Sequence, residues 1–567
     1  MAPTGKPSQF SDAALQHRLE LAGGTGPAAL FRNLRVFGVA CFACIGGLLY
    51  GYNQGVFSGV LTMNAFGNHM GSYITNTTKR GWLTSILELG AWFGTMYSGF
   101  LAEILSRKYA IIVNTMIFIL GVIVQCTATS AGHSAILGGR FVVGMGVGSI
   151  SMIVPMYVAE CSPPELRGLM IGLQQFAIEF GIMVSFWIDY GTNYIGGTGD
   201  GQSDAAWLVP LALQLGPALI LAVGMFFMPF TPRWLVHHGR PDEAKQTLAK
   251  LRSMPVEHEL VELEFLEIQA QSIFEKRTVE ANFPHLSQLT WINTIKLQFV
   301  AIASLFKTMP MFRRVIVATV TMFFQQWTGI NAILYYAPTI FQELGLSSNT
   351  TSLLATGVVG VVMLLATIPA ILYIDRIGRK PALIWGAIGM GLCHIIVAII
   401  YAKNEHQWPT HKAAGWACIV MVWLFVAHFG WSWGPCAWIV VAEVWPLSAR
   451  PYGIALGASS NWMNNFIVGQ VTPDMISGMR YGTFILFGVL IFMGAGFIFF
   501  FVPETKQLTL EEMDIVFGSS GVAAADQERM AQINRELGLD RLVGGGISPP
   551  SEQEKSANNT VELPTKV

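Results

Sequence analysis

Apolar runs of about twenty residues recur along the whole chain, separated by short polar stretches. A helix of about 20 mostly apolar residues is long enough to cross the hydrocarbon core of a bilayer, so each run predicts one membrane-spanning helix. Six runs come first, and six follow after a long charged interval. They lie near residues 35–58, 82–103, 109–130, 135–158, 168–188 and 207–228, and then near 315–340, 353–374, 382–401, 416–441, 452–470 and 482–502.

The charged interval between the two sets is too polar to cross a membrane. Residues 233–311 mix acidic and basic side chains with apolar ones, as in the segment EHELVELEFLE. Such a pattern is typical of amphipathic helices at a water interface, so we expect a cytoplasmic helical linker there. The other expected divisions are a cytoplasmic N-terminal segment, two helical bundles and a cytoplasmic tail, at residues 1–34, 35–232, 312–502 and 503–567.

Composition agrees with a polytopic membrane protein. Of 567 residues, 52% are hydrophobic and 12% charged, whereas a soluble domain carries about 25% charged residues. The net charge of −1 indicates no nucleic-acid partner. The seven cysteines are scattered without a CxxC pair, which predicts neither a disulfide framework nor a metal site. The sequence shows no nucleophile–base pair, metal cluster or phosphate-binding loop, so we expect neither an enzyme nor a cofactor.

Basic residues in the short loops predict the orientation. Loops rich in Lys and Arg stay on the cytoplasmic side. Arg107, Arg167, Arg379 and Arg450 fall in loops of one parity. That parity predicts a multi-pass plasma-membrane protein with both termini in the cytoplasm, where membrane lipid surrounds the helices.

Three segments of the first half recur in the second half. They are GFLAEILSRK at 99–108 with AILYIDRIGRK at 370–380, AECSPPELRG at 159–168 with AEVWPLSARPYG at 442–453, and MPFTPRWL at 228–235 with VPETKQLTL at 502–510. The near-constant spacing of these pairs indicates a duplication. We therefore predict an all-α membrane protein with twelve transmembrane helices in two six-helix bundles, and a substrate site between the bundles near mid-membrane.

Carboxylates and arginines occupy equivalent cytoplasmic ends in the two halves. We expect them to pair across the bundles and to latch the cytoplasmic side shut until it opens. Ordinary loop charge that follows the orientation rule is the alternative explanation. The expected gating residues at these ends are Glu103, Arg107, Glu160, Arg167, Asp375, Arg379, Glu443 and Arg450.

The residues of the predicted seventh helix match a family pattern. The specific match is QQWTGIN at 325–331 followed by Tyr335 and Tyr336, supported by GYNQG at 51–55 and PETK at 503–506. On these residues the chain resembles a fungal, hexose-transporter-like member of the sugar porter family of the major facilitator superfamily, over about residues 35–515. The resemblance implies a functional monomer that carries a monosaccharide, such as glucose or xylose, by alternating access. It also assigns Tyr335 and Tyr336 to the gate.

Sugars are neutral rings of hydroxyls, so a sugar site needs amides and aromatic faces rather than charge. Amides inside an apolar helix are costly unless they face a cavity or a partner helix. The positions that contact sugar in the family fall on Gln175, Gln325, Gln326, Asn331, Trp438 and Asn461, with Phe429 and Trp462 as aromatic walls and Ile178 and Ile182 as apolar lining. The family's usual asparagine on the eighth helix is Met363 here, which leaves the identity of the sugar open.

The first helix bears on coupling to protons. Proton-driven relatives have an aspartate where this chain has Asn53, and it titrates against an arginine that matches Arg140. Because an asparagine cannot bind and release a proton, Asn53 favours facilitated diffusion. Glu88 and Glu179 are carboxylates within predicted membrane helices. Ionisable residues at membrane depth are functional candidates, so proton symport through another carboxylate, Glu179 first among them, stays the alternative.

Two further functions compete with monosaccharide transport. A sugar sensor with a transporter fold is one, although sensors of the family tend to have much longer tails than the roughly 60 residues that follow Pro503. Transport of a polyol is the other, since the same amides would bind it.

Overall fold

The computed structural model describes residues 33–286, 290–346, 348–506, 510–518 and 521–539. Within these residues the regular structure is helical throughout, and twelve membrane spans follow one another along the chain. The predicted all-α fold with twelve spans is confirmed. Most of the predicted N-terminal segment and the end of the tail lie outside the described residues.

The first six spans cover residues 34 to 225. Spans 1 and 6 are each divided into two helices that continue in the same direction. The bounds are Leu34–Ala43 with Ile45–Val60 for span 1, Thr77–Leu105 for span 2, Arg107–Cys126 for span 3, His133–Cys161 for span 4, Arg167–Thr192 for span 5, and Ala205–Leu213 with Leu215–Met225 for span 6.

The second six spans cover residues 309 to 501. Spans 7 and 10 are interrupted near their centres. The bounds are Met309–Gln326 with Ile330–Glu343 for span 7, Asn349–Ile377 for span 8, Arg379–Asn404 for span 9, Lys412–Trp431 with Trp433–Glu443 for span 10, Arg450–Met479 for span 11, and Tyr481–Phe501 for span 12.

The spans are not equally apolar. By length and composition, nine helical stretches among the described residues are apolar enough to cross a membrane, and they correspond to spans 1, 3, 4, 5, 6, 8, 9, 10 and 12. Spans 2, 7 and 11 are more polar because they carry carboxylate and amide side chains in their central turns. Polar side chains in a membrane helix face a cavity or another helix, so these three spans point to the interior of the protein.

Close packing within the first bundle depends on small residues. Spans 2 and 4 touch backbone to backbone: a Cβ added at Gly90 would lie 2.2 Å from the carbonyl oxygen of Phe141, and one at Gly144 would lie 2.0 Å from that of Leu87. Between spans 1 and 5, a Cβ at Gly51 would lie 1.8 Å from the carbonyl oxygen of Ile178. Close approach at small residues is the usual way in which helices associate in lipid.

The two bundles meet along spans 2 and 11, spans 5 and 8, and spans 1 and 7. Hydrogen bonds cross this boundary near the ends of the spans, including Thr78 to Asp474 at 3.0 Å and Arg80 to Thr339 at 3.1 Å. These residues all lie at the end of the spans that is remote from the described N-terminus. We call that end the distal side. In this conformation the bundles are held together there.

The linker and the tail gather on the other side, which we call the terminal side. The linker helices are Pro232–His237, Pro241–Arg252, Glu259–Asn282, Pro284–Leu286 and Trp291–Ser304, and the tail helices are Leu510–Phe517 and Val522–Glu536. Arg35 at the start of span 1 donates to the carbonyl of Lys250 in the linker at 3.0 Å. Arg277 of the linker pairs with Glu536 of the tail at 2.6 Å.

A buried ion pair anchors the first tail helix. Arg314 in span 7 binds the carboxylate of Asp514 and the carbonyl oxygen of Val444, and its guanidinium lies 4.7 Å from the ring centroid of Phe517. The Arg314 and Asp514 side chains are 1% and 5% exposed, whereas those of Arg277 and Glu536 are 40% and 42% exposed. Two ion pairs of very different burial therefore tie down the tail.

The difference in burial predicts different costs of breaking the two pairs. Asp514→Ala removes a buried carboxylate that pairs with the Arg314 guanidinium, and breaking a buried pair costs about 3–5 kcal/mol. We expect a clear fall in the Tm of the purified chain. Glu536→Ala breaks the exposed pair and is the matched control, because such pairs contribute at most about 1 kcal/mol. Equal Tm shifts in the two variants would contradict the assignment of Asp514 as the anchor.

Candidate functional site

The interruption of span 7 places two candidate site residues next to each other. Gly329 lies between the two helices with φ at +87°, and a Cβ there would lie 2.9 Å from the ring of Phe487. A glycine is therefore required at this position for both its backbone angle and its lack of a side chain. Gln326 ends the first helix and Asn331 lies at the start of the second. The break turns both amides toward one another.

Four amides form what we call the amide cluster: Gln325, Gln326, Asn331 and Asn461. Asn331 donates to the side-chain oxygen of Gln326, and Asn461 of span 11 donates to that of Gln325 at 2.6 Å. All four side chains are buried. The cluster joins two of the more polar spans of the second bundle.

The interruption of span 10 provides backbone acceptors for the same cluster. Gln325 donates to the carbonyl oxygens of Trp433 at 2.9 Å and Gly434 at 3.2 Å. These residues open the second helix of span 10 just after Ser432, whose backbone is not helical. Phe429 is buried at the end of the first helix, and Trp438 lies half-buried one turn along the second. Broken helices thus supply both side-chain and backbone polar groups to the interior.

Span 5 brings the candidate residues of the first bundle. Gln175 donates to Glu179 at 2.7 Å, and Glu179 is 2% exposed with its second carboxylate oxygen lacking a partner among the described residues. Ile178 packs against Gly51 of span 1, and Ile182 is buried one turn further on. These four residues follow one face of span 5, at positions separated by three or four residues.

Trp462 makes an aromatic contact between the bundles. It is 1% exposed, and its ring centroid lies 5.3 Å from that of Tyr50 in span 1. Because Trp462 follows Asn461 of the amide cluster directly, movement of span 11 relative to span 1 would disturb both.

A second polar group, which we call the distal network, joins four spans. Tyr335 of span 7 lies 2.8 Å from Glu88 of span 2, 2.5 Å from Gln54 of span 1 and 2.9 Å from Asn465 of span 11, each distance from its hydroxyl oxygen to a side-chain oxygen. Asn465 also donates to the other oxygen of Glu88 at 3.2 Å. Glu88 is fully buried. Gln54 and Asn465 were not among the predicted site residues, although Asn465 lies one helical turn from Asn461 and so on the same face.

The predicted coupling residues Asn53 of span 1 and Arg140 of span 4 each donate a hydrogen bond to a backbone carbonyl. Asn53 donates to the carbonyl of Leu49 in its own helix at 3.0 Å. Arg140 donates to the carbonyl of Thr84 at 2.8 Å, and its guanidinium lies 3.9 Å from the ring centroid of Phe57. Tyr336, the neighbour of Tyr335, donates to the carbonyl of Gly469 in span 11 at 2.8 Å. Tyr335 and Tyr336 therefore both reach from span 7 to span 11.

The charged residues at the terminal ends form one network in each half. In the first half Arg107 binds Glu103 at 2.8 Å and Glu160 at 3.1 Å, which joins spans 2, 3 and 4. In the second half Arg379 binds Glu443 at 2.9 Å, which joins spans 9 and 10. These contacts lie within a bundle, whereas pairing between the bundles was expected. The same side chains thus hold the helices of each bundle together.

The remaining predicted gating residues lie beside these networks. Arg167 donates to the carbonyl of Ala159 at 3.1 Å, again within the first bundle. Arg450 begins span 11 and interacts electrostatically with Glu443. The side chain of Asp375 is outside the described residues.

The first network extends to the linker through His237. Its Nδ1 lies 2.6 Å from Glu103, and this hydrogen bond raises the pKa of His237 above its usual value. Glu103, His237 and His238 bring ligand atoms within 4.8 Å of one another, as a metal site would. However, the two oxygens of Glu103 already bind Arg107 and His237. The geometry fits an ion-pair network better than a metal centre.

The raised pKa of His237 predicts a pH-dependent stability. A histidine whose folded pKa lies above the unfolded value, about 6.5, stabilises the fold fully below that value, and the contribution disappears as pH rises through the folded pKa. We expect the Tm of the purified chain to fall as pH is raised through this window, and to fall less in His237→Gln. His285→Gln, at an exposed linker position, is the control. Identical pH profiles for wild type and His237→Gln would refute the role of this bond.

Comparison with known proteins places this geometry in a family. Residues 39–517 match the family model described as "Sugar (and other) transporter". The chain is 32% identical to a probable quinate permease of Aspergillus niger, over 89% of this chain and 92% of the relative. It is 31% identical to a quinate permease of Emericella nidulans over the same shares of the two chains.

Solved structures agree with this assignment. The inward open conformation of the xylose transporter XylE from E. coli superposes with a TM-score of 0.67 at 25% identity, over 85% of this chain and 99% of that chain. A structure of XylE described as a proton:xylose symporter bound to 6-bromo-6-deoxy-D-glucose gives the same TM-score, identity and coverage. The family and these relatives are transporters rather than enzymes. The chain therefore belongs to the sugar transporter family of the major facilitator superfamily, as a multi-pass membrane protein.

Proposed function

We propose that the chain carries a neutral, polyhydroxylated ring across the plasma membrane by alternating access, with a monosaccharide such as glucose or xylose as its substrate. The observation that carries the proposal is the buried amide cluster at the breaks of spans 7 and 10. Its hydrogen-bond partners described above are other amides and backbone carbonyls, and such groups match ring hydroxyls in number and in neutrality.

A bound sugar can replace the hydrogen bonds between the amides with hydrogen bonds from the amides to its own hydroxyls. In the structure Gln326 binds Asn331 and Gln325 binds Asn461. A hydroxyl both donates and accepts, so a sugar can insert between two amides without leaving either unpaired. Gln175 would contribute from the first bundle, and Trp462 and Phe429 would provide apolar faces for the ring. Substrate binding would then draw the two bundles together.

Quinate is the second candidate substrate. The A. niger and E. nidulans relatives are described as quinate permeases, and quinate is also a ring of hydroxyls. It differs from a sugar by its carboxylate, which needs a cation or several donors. The polar side chains of the cluster are amides. Because amides carry no charge, they favour a neutral ring over one with a carboxylate. A polyol remains compatible with the same cluster.

We propose that the terminal side faces the cytoplasm and that a single chain is the working unit. The orientation rests on the basic loops of that side. The single chain suffices because one chain supplies both bundles around the site. The networks of Arg107 and Arg379 would keep the ends of each bundle rigid while the bundles rock against each other, with Arg167 and Arg450 placed at the gate between them.

Coupling to protons is the remaining part of the proposal. Asn53 by itself favours facilitated diffusion, because it has no proton to exchange. The likeness to XylE, described as a proton:xylose symporter, supports coupling, and Glu88 and Glu179 are the buried carboxylates of spans 2 and 5. A proton-linked carrier that uses one of these carboxylates is consistent with both findings.

Loss of an amide from the cluster should weaken transport without loss of the protein. Asn331→Ala and Gln326→Ala each remove one partner of a ring hydroxyl, at a cost of about 1–3 kcal/mol, or about 5- to 150-fold in apparent affinity. Uptake of radiolabelled glucose by a yeast without its own hexose carriers measures the effect. The control is Asn404→Ala, since Asn404 is a buried amide whose hydrogen bond among the described residues goes to Ile400 of its own helix. Unchanged apparent affinity in both cluster variants would refute the site.

The substrate class is tested by competition in the same cells. We expect unlabelled glucose or xylose to reduce labelled uptake at lower concentration than quinate or a linear polyol does. The physical reason is that the cluster presents neutral amides, so the charge of quinate gains no partner there. Stronger competition by quinate than by every sugar tested would replace the monosaccharide with quinate as the substrate.

A further inference from the structure

The distal network contains more close contacts between pairs of oxygen atoms than hydrogens that can form hydrogen bonds between them. The hydroxyl oxygen of Tyr335 lies within 2.9 Å of oxygens from Gln54, Glu88 and Asn465. A tyrosine hydroxyl supplies one hydrogen and can accept from other donors. If Glu88 is a carboxylate, the Tyr335 hydrogen goes to Glu88, and the two contacts with Gln54 and Asn465 are left as bare oxygen–oxygen approaches.

Turning the two amides around does not remove the shortage. The amide nitrogen of Asn465 donates to Glu88 at 3.2 Å, and that of Gln54 lies 3.5 Å from both Glu88 oxygens. If either amide were rotated to donate to Tyr335 instead, its own oxygen would face the carboxylate of Glu88. Each rotation exchanges one unsatisfied oxygen contact for another. Buried polar groups are almost always paired, so the network needs at least one further hydrogen.

A proton on Glu88 provides one such hydrogen and reduces the two unsatisfied contacts to one. A carboxylic acid is both a donor and an acceptor. With Glu88 protonated, its O–H donates to Tyr335, and the Tyr335 hydroxyl donates in turn to Gln54 or Asn465. Both amide nitrogens continue to donate to Glu88. The neutral acid also avoids an ionised carboxylate in a fully buried position, which is costly without a bound cation.

Arg140 is a basic neighbour of Glu88, but its hydrogen bond goes to a different group. Arg140 of span 4 donates to the carbonyl of Thr84, one helical turn from Glu88, and stacks on Phe57. Its Nε and Nη1 have no hydrogen-bond partner among the described residues. Arg140, Glu88 and Gln54 belong to the first bundle, whereas Tyr335 and Asn465 belong to the second. Separation of the bundles on the distal side would therefore remove two partners of Glu88 and leave Arg140 as its neighbour.

We propose that Glu88 is a proton-binding site, and that closure of the bundles on the distal side takes up one proton there. When the distal side is open, water hydrates Glu88, and the guanidinium of Arg140 stabilises its ionised form. Closure brings Tyr335 and Asn465 onto Glu88, and one proton from the water of that side converts the carboxylate to the acid. This inference rests on the proposed transport function, and it names the group through which that function is linked to protons.

Other titratable groups around Glu88 are identified by the contacts of each packed span. Tyr335 faces it from span 7, Tyr50 from span 1 and Arg140 from span 4, while span 11 contributes the non-titrating Asn465. Glu179 of span 5 also interacts electrostatically with Tyr50. Tyrosine and arginine do not change charge between pH 5.5 and 8. Glu179 is therefore the rival group that an experiment must separate from Glu88.

The test follows closure directly, without substrate. Spin labels at Asn68→Cys and Lys412→Cys, exposed positions near the distal ends of the first and second bundles, report the distance between the bundles. The background carries Cys41→Ser and Cys126→Ser to remove the more accessible native thiols. We expect the ratio of closed to open chains to rise on acidification from pH 8 to 5.5, by up to about tenfold per pH unit, because closure binds one proton.

Variants assign the effect to Glu88. Glu88→Gln resembles the protonated acid and should remain mostly closed, with no response to pH. Glu88→Asp keeps a titrating carboxyl and should retain a pH response. Asp189→Asn removes a different buried carboxylate, in span 5, and should respond as wild type does. Tyr335→Phe removes the hydroxyl that needs the proton, so it should weaken the response even if Glu88→Gln does not fold.

Two outcomes would overturn the proposal. One is a wild type whose distance distribution does not change with pH. The other is a pH response that persists in Glu88→Gln, whether or not it disappears in Glu179→Gln. If Glu88→Gln does not fold, a pH response that persists in Tyr335→Phe has the same meaning. Uptake in cells separates this from the transport proposal. If the chain closes on acidification but moves no sugar, the proposed substrate is refuted and the proton site at Glu88 is not. If Glu88→Gln loses acid-stimulated uptake, both the transport proposal and the proton site are supported.

Discussion

A polar side chain within the hydrocarbon of a bilayer must find a partner inside the protein, because lipid offers none. This constraint organises the whole interior of the transporter. Spans 2, 7 and 11 carry carboxylates and amides in their central turns, and all three lie at the boundary between the bundles. The place of these three helices therefore follows from the polar groups that they must keep away from lipid.

The helix breaks of the second bundle are subject to the same constraint. Gly329 and Ser432 interrupt spans 7 and 10, and each break would expose unpaired backbone groups if it faced lipid. Instead, Gln325 binds the carbonyl oxygens that follow Ser432. Site and fold thus depend on each other, since an amide that we assign to the substrate also joins span 7 to the broken span 10. Loss of one amide would affect both transport and the local packing.

The distal network brings a titratable carboxylate next to span 1, where the sequence has Asn53. Asn53 has no titrating group, yet Gln54, its neighbour in span 1, joins a carboxylate that comes from span 2. Arg140 stays on span 4, with Glu88 close enough to influence it electrostatically. In the proton site that we propose, the carboxylate lies between the bundles and comes from span 2 rather than from span 1. The networks of Arg107 and Arg379 on the terminal side lie within the bundles, whereas the contacts of Thr78 and Arg80 on the distal side cross from one bundle to the other.

The sequence by itself determined the number of spans, the duplicated halves and the polar residues of the seventh helix. Hydrophobic length and repeated charged segments are local properties that lipid constrains strongly, and they can be read without knowledge of contacts. The sequence also indicated Glu88 as a buried carboxylate. The tertiary structure alone decided its partners: Gln54, Tyr335 and Asn465 lie on three different spans, and their meeting depends on how the bundles pack. The same reason explains Arg107 and Arg379, whose charges were predictable but whose pairing within each bundle depended on helix packing.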